Sequence, residues 1–267
     1  MTNAAETSTG NGIEVAQEVG AAFTGADKRN PSLGGVELEA GSGRANWRKR
    51  WAMVENVDVH PPYEIYVNTA GKRFFAEDTS GVSEREAAVQ ELPDGTYFIV
   101  FDEAGLEAPE VPILRERSID FVRELATESE VAWRAETLRE LGEEAGIDPE
   151  TLEATIGAYN EAVETGEDPL SRDFLPAPID DPPFYAIRTH DTTLVTFGGL
   201  QVSTDLQVLD TDGNSIPKLY AAGEVIGAAQ TSGSEFAGGM LITPALSFGR
   251  ILGRQLAEPS AETTELP

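Results

Sequence analysis

Past the turn Thr9-Gly-Asn-Gly12, apolar residues fall at Ile13, Ala16, Val19 and Phe23, a spacing that predicts a short helix with one apolar stripe. The Gly-, Asn-, Ser- and Arg-rich stretch 25–47 predicts loop. Tyr63 to Phe75 reads as a hairpin, with arms Glu64–Val67 and Lys72–Phe75 around the turn Asn68-Thr-Ala-Gly71. A helix is expected from Ser83 to about Leu92, and Asp94-Gly95 then turns the chain into the apolar strand Tyr97–Asp102. Residues 116–165 are expected to be helical, in one segment near Glu130–Ala145 and another after Asp148-Pro149, where Asp caps and Pro occupies the first turn. Leu152, Ile156, Tyr159 and Val163 give that second helix a single stripe, Gly166 ends it, and Pro169–Pro183, with five prolines, is a connector.

Thr192–Phe197 and Leu206–Leu209 then read as strands, with Thr211-Asp-Gly-Asn214 as a hairpin turn. Asp210-Thr-Asp-Gly-Asn214 has the look of a calcium loop but lacks the Gly at position six and the Glu at position twelve. The most informative stretch follows: Ile216-Pro-Lys-Leu-Tyr-Ala-Ala-Gly-Glu224, a short apolar strand that delivers a carboxylate. After it come a small-residue run from Gly227 to Gly239 and a helix starting at Thr243-Pro244, with Phe248, Ile251 and Leu252 on one face. A carboxylate at a strand end, beside glycine-rich backbone and a helix N-terminus, is a place to hold a polar cofactor.

Composition narrows the partners. The 267 residues carry 47 acidic and 19 basic side chains, a net charge of −28, which argues against nucleic acid or an anionic membrane surface. The carboxylates are spread along the chain, as on a solvated surface suited to high salt; an acidic protein of ordinary salt is the alternative. With no Cys there is no disulfide or thiolate chemistry, and with only His60 and His190 besides, a metal site is not expected. The polar start and the lack of any apolar run near 18 residues predict a cytoplasmic protein without membrane insertion.

Five stretches, in order, resemble one family. "IPKLYAAGEVIG" followed by "GGMLITPALSFGRILGRQLA" is similar to the C-terminal flavin-binding segment of the fumarate reductase and succinate dehydrogenase flavoproteins, a family that includes urocanate reductases and ketosteroid dehydrogenases. "TGNGIEVAQEVGAA" resembles its TGDG-then-helix segment and "YVNTAGKRFFAED" its VN-x-x-GKRF-x-x-E hairpin. "GIDPETLEATIGAYNEAVETGED" resembles a helix of its cap domain, and "PFYAI" to "TFGGLQVSTD" the return to the flavin domain.

The resemblance implies an α/β fold: the C-terminal part of a Rossmann-like FAD-binding domain (1–40 and 191–267) with an inserted α/β cap domain (41–190). It implies FAD, a small-molecule substrate, and hydride transfer between flavin and substrate. The family's G-x-G-x-x-G fingerprint is not found; Gly41-Ser-Gly43 does not follow a strand. The expectation is therefore a C-terminal portion, from a split gene, a mis-called start or a remnant, with a separate chain supplying the other half of the FAD domain. The alternative is an inert or accessory chain that binds no FAD alone.

By the same resemblance, Gly223 and Glu224 contact the cofactor, the carboxylate accepting from a ribityl or ribose hydroxyl. Gly239, Leu241 and Ile242 bring backbone N–H groups to the flavin's pyrimidine edge. Asn11 stands where the family has Asp. Arg73 and Glu77 are expected to order the hairpin. Gly81, Leu194, Val195 and Phe236 stand where fumarate-reducing members carry cationic side chains, which makes fumarate and succinate poor candidates. His60, eight residues before Asn68, is the candidate catalytic residue, with a surface histidine as the alternative; His190 is read as structural.

Overall fold

The computed structural model describes residues 1–29, 31–39, 41–45, 52–233 and 238–257. The chain starts with α1 (Asn11–Glu18), β1 (Phe23–Thr24), β2 (Ser32–Val36), β3 (Ala52–Met53) and β4 (Ile65–Asn68). Next come α2 (Val82–Gln90), β5 (Thr96–Asp102), α3 (Glu103–Glu107), α4 (Ile119–Glu128), β6 (Ala132–Ala135), α5 (Leu138–Ala145) and α6 (Pro149–Thr165). The last part holds β7 (Phe184–Thr192), β8 (Gly199–Leu200), β9 (Gln207–Leu209), β10 (Ser215–Tyr220), α7 (Ala229–Ser232) and α8 (Ile242–Ala257). Two compact units result: unit 1 is Met1–Ala4 with Pro31–Leu194, and unit 2 is Ala5–Asn30 with Val195–Pro267.

Unit 1 is built on an antiparallel sheet in the order β3-β2-β7-β5-β4, with β6 also paired to β7. Strand β5 covers one edge of β7 along its length, so β6 and β2 follow one another along the other. Both faces of the sheet are buried. Tyr97, Ile99 and Phe101 of β5 pack with Val89 of α2 and Val122 of α4, while Phe98 and Val100 pack with Leu141 of α5 and Leu152, Ile156 and Tyr159 of α6. This is why β5 reads as a continuous apolar run where a half-exposed strand would alternate.

Local signals set several boundaries. The Asp148 carboxylate accepts from the Thr151 N–H at 2.8 Å, Pro149 opens α6, and Gly166 closes it with φ 75°. The turn after β4 is held by the Asn68 side-chain oxygen, which accepts from the Ala70 and Lys72 N–H groups. The second hairpin arm reduces to a single bridge, Val67 to Arg73, and is not a strand.

Four expectations need correction. The stretch Glu130–Ala145 is not one helix: Ala132–Ala135 pairs with β7, and only Leu138–Ala145 is helical. Pairing with a buried strand overrides the helix preference of its alanines. Within 25–47, Ser32–Val36 is a strand, and it requires Gly34, where a Cβ would lie 1.5 Å from the His190 carbonyl oxygen. The strand expected at Thr192–Phe197 ends at Thr192 and instead runs back to Phe184. Phe23 belongs to β1, not to the first helix, and it and Val19 are exposed. Gly34→Ala is expected to force β2 off β7 at a cost of about 1–3 kcal/mol; an unchanged urea midpoint for unit 1 would contradict that close approach.

Unit 2 has two short antiparallel pairs, β1 with β8 and β9 with β10, around a small core of Ala16, Ala21, Leu200, Val208, Ala221 and Ile226. The β9–β10 turn is closed by the Asp210 N–H on the Asn214 carbonyl, with the Asp210 carboxylate accepting from the Asp212 and Asn214 N–H groups. Carboxylate oxygens engaged this way make the segment a hairpin turn.

Candidate functional site

In unit 2 the glycines allow backbone to cross backbone. A Cβ on Gly199 would lie 2.2 Å from the Gly227 nitrogen, and one on Gly227 would lie 2.4 Å from the Phe197 carbonyl oxygen. The crossing is tied by the Ala228 and Ala229 N–H groups, which donate to the Thr196 and Phe197 carbonyls, and by the Gln230 amide, which donates to Leu200 and Ile226. It anchors the one-turn 3-10 segment Glu224–Ile226. Gly223, just before it, has φ 84° and ψ −156°, a region essentially closed to other residues.

Gly223, Glu224 and Leu241 thereby line one small cleft, with Val195 and Thr196 on its wall. Glu224 is exposed there. Gly239 has φ 84°, and its carbonyl accepts from the Thr243 N–H in the first turn of α8. Gly238 is demanded neither by a left-handed φ nor by any described neighbour, since a Cβ there meets nothing within 4 Å. Asn11 is exposed at the start of α1, where its side-chain oxygen pairs with the Thr9 hydroxyl. The next residue, Gly12, approaches Val225, so Asn11 is placed beside the Glu224 turn. Ile242 is the first residue of α8 and is 65% exposed. Phe236 lies outside the described residues.

The ionisable groups of unit 1 form a separate, buried set. His60 is only 2% exposed, so the surface alternative is set aside. Its Nδ1 faces the Val111 carbonyl at 2.5 Å and its Nε2 the Glu64 carboxylate at 3.1 Å. Both partners are acceptors in their ordinary forms, an arrangement that favours a proton on each ring nitrogen. Burial lowers its pKa, but the hydrogen bond and charge of Glu64 and the Val111 carbonyl outweigh that and raise it above 6.5.

A raised folded-state pKa contributes stability that is complete below about pH 6.5 and is lost as pH climbs through the folded value. Urea midpoints of the parent are therefore expected to fall relative to His60→Gln between pH 6 and 8.5. Parallel curves would contradict the charged ring. His190, half-buried and bonded to Thr96, has its pKa lowered by burial and by Arg188; it is present in both proteins and cancels.

Near His60, Arg172 in the proline-rich connector has a fully buried side chain. It donates to the Glu77 carboxylate at 3.1 Å and to the carbonyls of Glu64, Pro62 and Phe174. Arg73 donates to Glu77 through Nε at 2.8 Å and also bonds Asp168, and both guanidinium groups lie over the Tyr159 ring. Arg73 and Glu77 order the hairpin, as expected. Arg172 was not legible from sequence, because Glu77 is 95 residues away.

The comparisons with known proteins identify the family. A family model described as FAD binding domain matches residues 1–241. The chain belongs to the FAD-dependent oxidoreductase 2 family. Its cofactor is accordingly FAD. The NADH:acrylate oxidoreductase of Vibrio harveyi is 30% identical over 250 residues, which cover 93% of this chain and 23% of that protein. The urocanate reductase of Eggerthella lenta is 32% identical over 197 residues, covering 72% and 31%. In fold, the chain is similar to the 3-ketosteroid Δ1-dehydrogenase of Sterolibacterium denitrificans, with a TM-score of 0.71 at 22% identity over 96% of this chain and 48% of that one. The chain thus spans less than half the length of each of these relatives. Its fold is α/β, and no described helix is long and apolar enough to cross a membrane.

The unit 2 residues suit the cofactor: an exposed carboxylate at a strand end, a helix start preceded by glycines, and a Gly238 backbone that no described side chain covers.

Proposed function

We propose that unit 2 is the C-terminal part of a Rossmann-like FAD-binding domain, that unit 1 is an α/β cap domain, and that together they serve an FAD-dependent dehydrogenase or reductase acting on a small organic substrate. The observation that carries this reading is the convergence of Gly223, Glu224 and Leu241 on one cleft beside the start of α8. Glu224 accepts hydrogen bonds from hydroxyls of the cofactor, and the backbone at Gly239, Leu241 and Ile242 offers N–H donors and positive partial charge to its ring. Asn11, next to that turn, adds a polar contact. The bound flavin supplies hydride chemistry, while the chain orients the ring and keeps water out.

His60 is a positioning residue: one ring nitrogen is bonded to the Glu64 carboxylate and the other to the Val111 carbonyl, and neither is left to exchange a proton with substrate. The exposed apolar residues Val15 of α1, Val19 just past its end, and Ile242, Leu246 and Leu256 of α8 support a further part of the reading, that polypeptide carrying the dinucleotide-binding half of the FAD domain covers these faces. The acidic surface supports a salt-rich cytoplasm, where screening relieves self-repulsion.

With Gly81, Leu194 and Val195 where a dicarboxylate reductase needs cations, fumarate is a poor substrate. Full-length enzyme, reduced anaerobically, is expected to be reoxidised far faster by an uncharged enone than by fumarate. Faster reoxidation by fumarate would overturn the substrate reading.

A further inference from the structure

We propose that Asn11 is a self-modification site: in the folded protein the backbone nitrogen of Gly12 attacks its side-chain amide, ammonia leaves, and water converts the residue to a carboxylate. The site lies in unit 2, and the inference does not depend on the flavin reading.

The first observation is the setting of the dipeptide. Asn11-Gly12 is the one Asn-Gly pair in the 267 residues, so the attacking nitrogen belongs to a residue with no Cβ to obstruct its approach. Every residue from Ala5 to Gly12 is exposed. Asn11 and Gly12 open α1, in the turn whose N–H groups have no acceptor within the helix. The Ile13 and Glu14 N–H groups both donate to the Gly10 carbonyl, whereas the Gly12 N–H has no acceptor among the described residues. Gly10 precedes the helix in a left-handed conformation and supplies no side-chain cap. The helix is anchored beyond this turn, by Ile13 and Ala16, so the first turn opens without disturbing the core.

The second observation is activation of the amide. The Thr9 hydroxyl donates to the Asn11 side-chain oxygen. A donor there stabilises the negative charge that gathers on that oxygen as the amide carbon is attacked. Other candidate positions lack this combination. Both polar atoms of the Asn160 amide are bonded to the Ile179 backbone, and the Asn68 oxygen holds its turn. At Asp94-Gly95 and Asp212-Gly213 the glycine N–H donates to the Leu92 and Asp210 carbonyls.

Water is the sole co-reactant. The Gly12 nitrogen bonds Asn11 Cγ, the Cγ–Nδ2 bond breaks, and the Gly12 amide proton departs with the leaving nitrogen as ammonia, which leaves a five-membered imide. Water opens the imide at Cγ to give aspartate on the original backbone, or at the main-chain carbonyl to give isoaspartate, in which the chain runs through Cγ. Nothing is oxidised or reduced. The aspartate places a negative charge at the first residue of α1, which the helix dipole favours, and it does so beside the Glu224 turn, since Gly12 adjoins Val225. The isoaspartate lengthens the backbone at the same point.

The test incubates the full protein in ¹⁸O-labelled water at neutral pH and in mild alkali, then reads its peptides by mass spectrometry, with electron-transfer fragments separating aspartate from isoaspartate. Residue 11 is expected to take up label as a mixture of the two acids, several-fold faster than any other asparagine, and faster in alkali because the attacking nitrogen must lose its proton. Gly12→Ala is expected to slow the reaction several-fold; its Cβ would lie 3.5 Å from the Val225 side chain, an ordinary contact, so the fold is kept. Thr9→Val, at an exposed position, is expected to slow it less. A residue 11 that stays an amide, or converts no faster than the other asparagines, overturns the site. An unchanged rate in Gly12→Ala, or label appearing as aspartate alone, overturns attack by the Gly12 nitrogen in favour of direct hydrolysis.

Discussion

Glu77→Ala is expected to cost unit 1 about 3–5 kcal/mol, a large part of the roughly 5–15 kcal/mol that holds a domain together. The Glu77 carboxylate is wholly buried and accepts four times: from the Tyr66 N–H, twice from Arg73, and from Arg172. Removing it leaves the Arg172 guanidinium, with no exposed side-chain surface, without a counter-charge. Arg73 is affected less because Asp168 remains bonded to it. Arg172 also fastens the connector to the carbonyls of Pro62 and Glu64, so the loss spreads to the ends of β4 and α6. Glu77→Gln, which keeps shape but not charge, is expected to fall between the two. Urea unfolding followed by far-ultraviolet circular dichroism reads the order; a loss under 1 kcal/mol for Glu77→Ala would contradict it.

The second large effect lies in unit 2. Glu224→Ala is expected to weaken FAD binding by about 10- to 100-fold, since a hydrogen bond to a charged group contributes about 1.5–3 kcal/mol. Glu224 is exposed, and the turn carrying it is fixed by Gly223, Gly227 and Gln230, so the substitution leaves the fold in place. Gly223→Val acts differently: at φ 84° and ψ −156° a branched residue strains the turn itself, and both affinity and thermal stability of unit 2 fall. Fluorescence titration of the full-length protein with FAD separates the two cases. Equal affinity of Glu224→Ala and the parent would remove Glu224 from the cofactor site.

Much of this architecture is legible in the chain because it is encoded locally. Asp148, Pro149 and Gly166 mark both ends of α6, Asn68 and Gly71 mark a turn, and the apolar run of β5 marks a strand buried on both faces. The glycine-rich stretch after Tyr220 points to a cofactor because backbone approach leaves its trace in residue type. What escaped is decided at long range. Strands β2 and β6 exist because β7 offers them an edge, and their own residues suit loop and helix as well. The burial of His60 and the role of Arg172 depend on partners brought in by the sheet, and no spacing along the chain announces them.

The central claim is that this chain contributes residues to an FAD site. The direct measurement is the visible spectrum and cofactor content of the full-length protein, purified with any polypeptide that carries the dinucleotide-binding half. The account predicts a flavin spectrum and one FAD per protein, with less FAD retained in Glu224→Ala. A colourless, folded protein that takes up no added FAD would contradict it.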